Sequence, residues 1–385
     1  MNNSRKIKII FSICNLGAGG AERVILNLLR NIDRNRFEPI LYLLNRSGSL
    51  LSKAPADVAV YSMDEIKIPK LYGIRFIFFF SRLVKHLRQL RPDILFSFMW
   101  YPNAIAIITG RLYGSRVRTI VSERTSTSVY SSRLNNFLRD WIIRWLYPRA
   151  DFIVSPSYGI AEDLTSDGVQ GEKIKVIHNP VDIITIQEAA KEGVENSWFN
   201  GSSKIILAVG RLGSEKGFDY LIHTISILKK DNTDCKLVIV GEGDGRKYLE
   251  GVISEMQVID RVQLIGFQEN PYKYLARSTI FVLSSLYEGF PNVLLEAMAL
   301  GVPSVATRCP TGPEEIITDG VDGILVPPAD EKAIADAIRR LLGDEDLRKR
   351  LGEAGRKRAE DFRVDKIVKE YEDVIEKVCA ESAAE

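Results

Sequence analysis

Four cysteines, three histidines and no CxxC pair leave this 385-residue chain without the makings of a disulfide framework or a zinc centre. Cys14, Cys235, Cys309 and Cys379 stand far apart, as do His86, His178 and His223. A reducing cytoplasm is the expected compartment. Also missing is any apolar run of the roughly 20 residues that a membrane-spanning helix needs. The nearest, residues 76–80, is closed off by Arg75 and Arg82. Residues 5–14 begin with basic residues as a signal peptide does, but Lys8 interrupts the apolar stretch and no small-residue cleavage site follows. They read as a first buried strand. No G-x-x-x-x-G-K-[ST] loop is found, which disfavours a P-loop nucleotidase. Apolar residues at 45% and charged residues at 26% exclude disorder and collagen-like repeats as descriptions of the whole chain.

What is present begins with length, which predicts two or three domains. The net charge of +2 conceals a division. Residues 1–150 hold 24 Lys and Arg against 9 Asp and Glu, whereas the remainder holds 28 against 41. The N-terminal part is therefore expected to face something anionic, either phosphates, nucleic acid or a lipid surface, with uneven surface decoration as the bland alternative.

Short β-branched runs alternate with amphipathic helical patterns from end to end. Strands are expected at 7–14, 39–44, 94–98, 118–122, 152–155 and 175–178. A second set is expected at 205–209, 236–240, 262–265, 280–283, 302–306 and 323–326. Intervening helices are expected at 21–32, 76–90, 218–230, 292–300 and 331–342. Nearly continuous apolar strands alternating with helices predict parallel sheets covered on both faces. The fold class is α/β: two Rossmann-like doubly wound domains facing a central cleft. An N-terminal domain over 1–182, a polar linker over 183–203, a C-terminal domain over 204–362 and a closing helix over 363–385 complete the expected organisation. The closing helix is expected to pack back toward the N-terminal domain. Ligands of such sheets bind at the carboxyl ends of the strands.

Residues 284–301 carry the most chemistry. A strand ends near Ser284, Gly289 permits a tight turn, and a short helix runs from about Pro291 to Gly301. Its first N–H groups and dipole suit a phosphate. Glu288 in the turn and Glu296 one helical turn inside bracket that point, placed to accept hydrogen bonds from sugar hydroxyls on either side of a diphosphate. Taken merely as a pair, the two read better as a surface acid and a solvated helix acid; the Gly289-Phe290-Pro291-Asn292 turn between them is what sets the pattern apart. A second segment, residues 209–218, delivers Arg211 from a strand and Lys216 at the next helix start. Two cations there would neutralise a departing diphosphate, although loop cations are common in any soluble protein. Third, Gly17, Gly19 and Gly20 follow the first strand without the G-x-G-x-x-G spacing, a turn that admits close approach of a phosphate or acceptor or serves the fold alone. Asp344-Glu345-Asp346 matches D-x-D formally but reads as a helix cap, so no metal site is expected.

Together these segments resemble the retaining glycosyltransferases of family GT4, which have the GT-B fold and act in bacterial or archaeal cell-surface glycan assembly. The resemblance rests on the Gly-Gly-Ala-Glu loop at 19–22, Val-Ile-His-Asn-Pro-Val-Asp at 176–182, Gly-Arg-Leu-x-x-Glu-Lys-Gly at 210–217, Gly241-Glu242-Gly243, and Glu-x7-Glu at 288–296. It implies a donor site for a UDP- or GDP-linked sugar in the C-terminal half, with no further cofactor. Arg211 and Lys216 would hold the diphosphate, Glu296 the ribose hydroxyls and Glu288 the donor sugar. The backbone of Gly289, Phe290 and Asn292, with Pro291, Gly241 and Glu242 nearby, would complete the donor contacts. Related sequences often have histidine where this chain has Arg124, after the strand ending at Ser122. Arginine cannot act as a base, so Arg124 is expected to hydrogen-bond a sugar hydroxyl or phosphate.

The expected reaction is transfer of a hexosyl or N-acetylhexosaminyl unit to a lipid-linked oligosaccharide or polysaccharide. A GT-B sugar-nucleotide epimerase and a catalytically silent scaffold for a partner transferase are the alternatives. The basic residues Arg75, Arg82, Lys85 and Arg88, and the basic-aromatic stretch 133–149 with Trp141 and Trp145, suggest peripheral contact with an anionic membrane. A core-packed helix with a solvated basic back accounts for the same pattern. No nucleic-acid partner is expected.

Overall fold

The computed structural model describes residues 5–63, 72–113, 117–126, 137–201 and 203–384. It divides into two compact units, one formed by Met1–Pro180 with Val364–Glu385 and the other by Val181–Arg363.

The first unit is built on strands β1 (Ile7–Ile13), β2 (Phe37–Leu43), β3 (Ala59–Ser62), β4 (Ile94–Phe98), β5 (Arg118–Ser122), β6 (Phe152–Ser155) and β7 (Ile174–Val176). They form one sheet in the order β3-β2-β1-β4-β5-β6-β7, and every pairing is parallel. Helices α1 (Gly20–Asn31), α2 (Tyr72–Leu90), α3 (Trp100–Tyr113), α4 (Phe137–Leu146) and α5 (Tyr158–Ser166) connect them. Both faces of the sheet are covered. One core gathers Phe11, Phe96, Val24 and Leu28, and another gathers Ile10, Tyr42, Leu83 and Ile105. Burial on both sides is what makes these strands read as unbroken apolar runs. The edge strand β3 was not expected, because its Ala-Val-Tyr-Ser run is short and half exposed. Pro39 sits inside β2, where it lacks an N–H, but pairing of β2 with β3 starts only at Ile40.

The second unit has β8 (Lys204–Val209), β9 (Cys235–Val240), β10 (Val262–Leu264), β11 (Ile280–Leu283), β12 (Ser304–Thr307) and β13 (Ile324–Val326), in the parallel order β10-β9-β8-β11-β12-β13. Its helices are α6 (Ile183–Ala190), α7 (Phe218–Lys230), α8 (Arg246–Glu255), α9 (Tyr272–Leu275), α10 (Asn292–Ala299), α11 (Pro313–Ile316), α12 (Glu331–Gly343) and α13 (Glu345–Ala359). The expected linker over 183–203 is corrected here. Its first eight residues are α6, capped by the Asp182 carboxylate, which accepts from Thr185 N–H. Ile183, Ile186 and Ala190 are buried in this unit's core, with Trp198 and Phe199 packed against it. The polar composition of the stretch concealed an amphipathic helix.

The last helix, α14 (Val364–Ala384), belongs to the first unit. Ile367, Val368, Tyr371, Val374, Ile375 and Val378 enter the same core as α1. Arg36 pairs with Glu372 at 3.0 Å and also with Glu376, while the Glu372 carboxylate accepts from Asp33 N–H at 2.8 Å.

Candidate active site

In the second unit four loops meet beyond the carboxyl ends of β8, β9, β11 and β12. Backbone contacts fix them. Gly241, at φ +148°, lies so close to Gly210 that a Cβ there would stand 1.8 Å from its carbonyl oxygen. Gly217, at φ +59°, caps α7, and a Cβ on it would meet the Ser284 carbonyl at 2.3 Å. Only glycine suits such positions. The Ser284 hydroxyl donates to Lys216 C=O at 2.9 Å, and Leu286 N–H donates to Glu215 C=O at 2.8 Å. The loop after β8 is thus stitched to the loop after β11.

That stitching brings the chemistry together. Lys216 Nζ donates to Glu288 Oε1 at 2.7 Å, and the buried Ser285 hydroxyl donates to the same oxygen at 2.6 Å. The pair is mostly shielded, with side-chain exposures of 20% and 11%. The Thr311 hydroxyl holds the Glu288 carbonyl, and Glu288 N–H donates to Pro310 C=O at 3.3 Å. Thr311 itself takes the left-handed conformation at φ +62°, an uncommon setting for a β-branched residue. Cys309, beside them, has its thiol pushed up to about 12, first by burial and then by the Glu288 charge.

Helix α10 begins at Asn292, with Pro291 as its N-cap. Its residues Leu294–Ala299 are buried, and Glu296 among them is 7% exposed, with the Tyr272 hydroxyl donating to its Oε1 at 3.4 Å. A carboxylate in so dry a place is suited to accept from a ligand's hydroxyls. The Phe290 ring packs on Phe362 at 5.7 Å, leaving its backbone rather than its ring for a ligand. Arg211 is directed to Glu215 at 2.6 Å and is 71% exposed. Glu242 is exposed and paired with Arg246 at 2.7 Å, which holds its carboxyl below the usual range. The structure therefore clusters Lys216, Glu288, Ser285 and Thr311, while Arg211 and Glu242 are engaged with neighbours of their own. Asp344, the possible metal ligand dismissed above, caps α13 by accepting from Leu347 N–H at 2.8 Å.

In the first unit, the loop of Gly17, Gly19 and Gly20 leads into α1, and Glu22 folds back over it: a Cβ on Gly19 would lie 2.5 Å from Glu22 Oε2. Burial raises the Glu22 pKa. The expected phosphate-admitting turn thus carries an acid of its own. The loop after β5 is organised around Glu123, which is 1% exposed. Its carboxylate accepts from the Tyr147 hydroxyl at 2.5 Å and from Arg124 N–H and Thr125 N–H at 3.2 and 3.3 Å. Burial and the Glu123 charge push the Tyr147 phenol well above its usual range. Arg124, expected beside the donor, donates to Asn179 Oδ1 at 2.7 Å and to the Tyr371 hydroxyl at 2.9 Å, with its guanidinium 4.9 Å from the Phe98 ring. Arg124 thus joins the loop to α14.

The expected membrane face is uneven. Lys85 and Arg88 are exposed, Arg82 is half-buried, and Arg133 and the side chain of Arg75 lie outside the described residues. Arg139 is buried and donates to Thr125 and Ser126 carbonyls at 3.1 and 3.2 Å, so it serves the interior. No described helix is long and apolar enough to cross a membrane.

Two all-parallel Rossmann-like units, the second with a cation and two acids at its strand ends, define the class as GT-B glycosyltransferases. Residues 191–358 match the family described as glycosyl transferases group 1, and residues 18–184 match glycosyltransferase family 4. The chain is similar to a Campylobacter jejuni enzyme named N-acetylgalactosamine-N,N'-diacetylbacillosaminyl-diphospho-undecaprenol 4-alpha-N-acetylgalactosaminyltransferase. Identity is 33%, covering 94% of this chain and 98% of that one. A second C. jejuni relative, named an alpha-1,4-N-acetyl-D-galactosaminyltransferase acting on a diNAcBac-PP-undecaprenol-linked sugar, is 28% identical over 97% of this chain and 99% of its own. Anabaena HepE, solved in complex with UDP-glucose, shares the fold at a TM-score of 0.82 and 19% identity, covering 96% of this chain and all of that one. The chain belongs to this glycosyltransferase family.

Proposed function

We propose that the protein is a retaining, metal-independent transferase. It moves an N-acetylhexosaminyl or hexosyl unit from a UDP-sugar to a lipid-diphosphate-linked oligosaccharide, working peripherally at the cytoplasmic face of the cell membrane. The Lys216–Glu288 pair at the start of α10 carries this reading. As the bond between sugar and diphosphate breaks, negative charge grows on the leaving group. Lys216 and the first N–H groups of α10 meet that charge, helped by Arg211 once it leaves Glu215. Glu288 accepts from a hydroxyl of the donor sugar and Glu296 from the ribose. The backbone at Gly289, Phe290 and Asn292, with Gly241 nearby, supplies close contacts without side-chain bulk. The first unit takes the acceptor. UDP as the nucleotide is supported by the ligand in the Anabaena structure, and the acceptor class and retention by the undecaprenol and alpha of the Campylobacter names.

The test is transfer by purified protein from UDP-N-acetylgalactosamine, UDP-N-acetylglucosamine, UDP-glucose or GDP-mannose to an undecaprenyl-diphosphate oligosaccharide, with the new linkage read by NMR. An α-linked product from a UDP donor, formed undiminished in EDTA, is expected. A β-linked product, transfer from the GDP donor alone, or loss of activity in EDTA reversed by one metal would overturn the corresponding part.

A further inference from the structure

In each sheet the chain builds outward on one side of a central strand and then returns to its other side. The crevice between β1 and β4 in the first unit therefore answers to that between β8 and β11 in the second. Open parallel sheets take their ligands at this crevice, outside the carboxyl ends of the strands. Lys216 and Glu288 stand there in the second unit. In the first unit the same place is furnished differently.

The register that pairs Ser12 with Ser97 carries Cys14 level with Met99. Cys14 and Tyr101 pack against one core. Met99 turns the chain from β4 into α3 at φ +77°, a strained setting for methionine, with its N–H on the Ser122 carbonyl at 3.0 Å. Across from it, the loop after β1 is held by the loop after β2. Leu16 N–H donates to Ser47 C=O at 3.0 Å, and Asn45 N–H donates to Cys14 C=O at 2.8 Å. Gly48, at φ +119°, comes so close that a Cβ on it would stand 2.0 Å from the Leu16 carbonyl oxygen. Backbone contacts thus fix both sides of the crevice in advance of any ligand.

On this frame stand an amide and an acid. Asn15 Oδ1 accepts from Gly17 N–H at 3.0 Å, while its Nδ2 bonds no described residue. A Cβ on Gly17 would lie 3.2 Å from Asn15 Oδ1 and 3.5 Å from Glu22 Oε1, so the two side chains flank one glycine. Glu22 is half-buried and forms no ion pair with a described residue. An acid kept at a helix start only to meet the dipole would have its pKa lowered. Burial raises this one, and the backbone at its own position and the Arg23 charge offset that only in part. Burial and then the Glu22 charge push the neighbouring Cys14 thiol up to about 11. Trp100 and Tyr101, half-buried and edge to face at 5.6 Å, follow Met99 at the start of α3. A phosphate would be repelled by the carboxylate. A sugar has the matching chemistry: hydroxyls that donate to a carboxylate and accept from an amide, and a C–H face that suits an aromatic ring.

We infer that the β1–β4 crevice of the first unit holds the terminal sugar of the acceptor, with Glu22 and Asn15 bonding its hydroxyls and Trp100 and Tyr101 offering a face to its ring. The exposed backbone at Gly19 and Gly20 lets the sugar come close. This names a place for the acceptor and rests on the transferase reading above.

Glu22→Ala should raise the acceptor KM about tenfold, the loss of one hydrogen bond to a charged group. Asn15→Ala and Glu22→Gln should each raise it about threefold. The UDP-sugar KM and the thermal shift with UDP should stay at wild-type values in all three. Acceptor analogues that each lack one hydroxyl carry the decisive readout. One of them should cost wild type about tenfold and cost Glu22→Ala almost nothing, because the partner is already gone. Glu22→Gln, with the size of the native side chain, guards against a folding defect. Losses that add for every analogue would overturn the inference. So would a rise in the UDP-sugar KM in place of the acceptor KM, which would give Glu22 to the donor. Transfer indifferent to all three substitutions would refute the crevice and spare the reaction. If wild type uses no lipid-diphosphate oligosaccharide, the reaction falls, and saturation-transfer NMR with the free oligosaccharide decides the crevice. Signals that wild type gives and Glu22→Ala loses uphold it; equal signals, or none, overturn it.

Discussion

Strands β1 and β8 hold equivalent places in the two sheets, each flanked by the next strand in sequence on one side and the first returning strand on the other. Each feeds a glycine-bearing loop into a helix, yet the loops carry opposite charge. After β1, Glu22 lies over Gly19. After β8, Gly217 lets the loop press against β11, and Lys216 reaches Glu288. One topology therefore builds two electrostatically different strand ends, and a handful of residues decides the difference.

The sharpest way to break this comparison is to remove each charge in turn. Lys216→Ala and Glu288→Gln should each lower kcat/KM by about 10³, or roughly 4 kcal/mol of transition-state stabilisation, as for the loss of a preorganised donor. The melting temperature should change little, because in either variant the Ser285 hydroxyl keeps an acceptor in the side chain at 288. Glu22→Ala should cost far less in turnover. Equal rate losses for Glu22→Ala and Lys216→Ala, measured by UDP release, would erase the distinction.

The second contrast is between acids. Glu288 pairs with Lys216 and Ser285 where four loops meet, whereas Glu123 is buried among its own unit's donors. Glu123→Ala should destabilise by about 3 kcal/mol, since it strands the Tyr147 hydroxyl and two backbone N–H groups. Urea unfolding measures this, and a loss no greater than for Glu288→Gln would contradict it. Tyr371→Phe should cost less, about 1 kcal/mol, by taking one acceptor from Arg124. A local opening of α14 in hydrogen exchange should accompany it; unchanged protection there would show that Arg124 does not hold the helix.

These contrasts also mark what the sequence discloses. Strands buried on both faces show as apolar runs, so all but β3 were legible. Helix α3 was harder, because Trp-Tyr-Pro-Asn-Ala-Ile-Ala-Ile-Ile-Thr is apolar nearly all round and has no clear period. Glu288, Glu296 and Lys216 could be found because a turn, a helix start and their spacing are local signals. Ser285 and Thr311 could not be found that way, since their roles arise where loops cross; the only hint was the turn signal of Pro310-Thr311-Gly312-Pro313. The bonds that Arg124 makes were hidden for the same reason. Its partners lie 55 and 247 residues away, and no local pattern announces a bond to the last helix.

The smallest expected effect tests the acid half of the opening contrast. Burial raises the Glu22 pKa above its unfolded value, so the folded chain holds a proton there that the unfolded chain releases. Stability contributed by this group is therefore fully present below the unfolded pKa, near 4.5, and declines as pH rises through the folded value. Glu22→Gln removes the titration. The variant should melt close to wild type at the acid end of that window, then gain on it as pH climbs through the folded value, and hold a constant lead above it. Paired melting curves across this range decide the matter. A lead that is flat with pH, or that shrinks as pH rises, would mean that the Glu22 carboxylate is welcome at the start of α1, and that the two loops differ in residues but not in the charge they prefer.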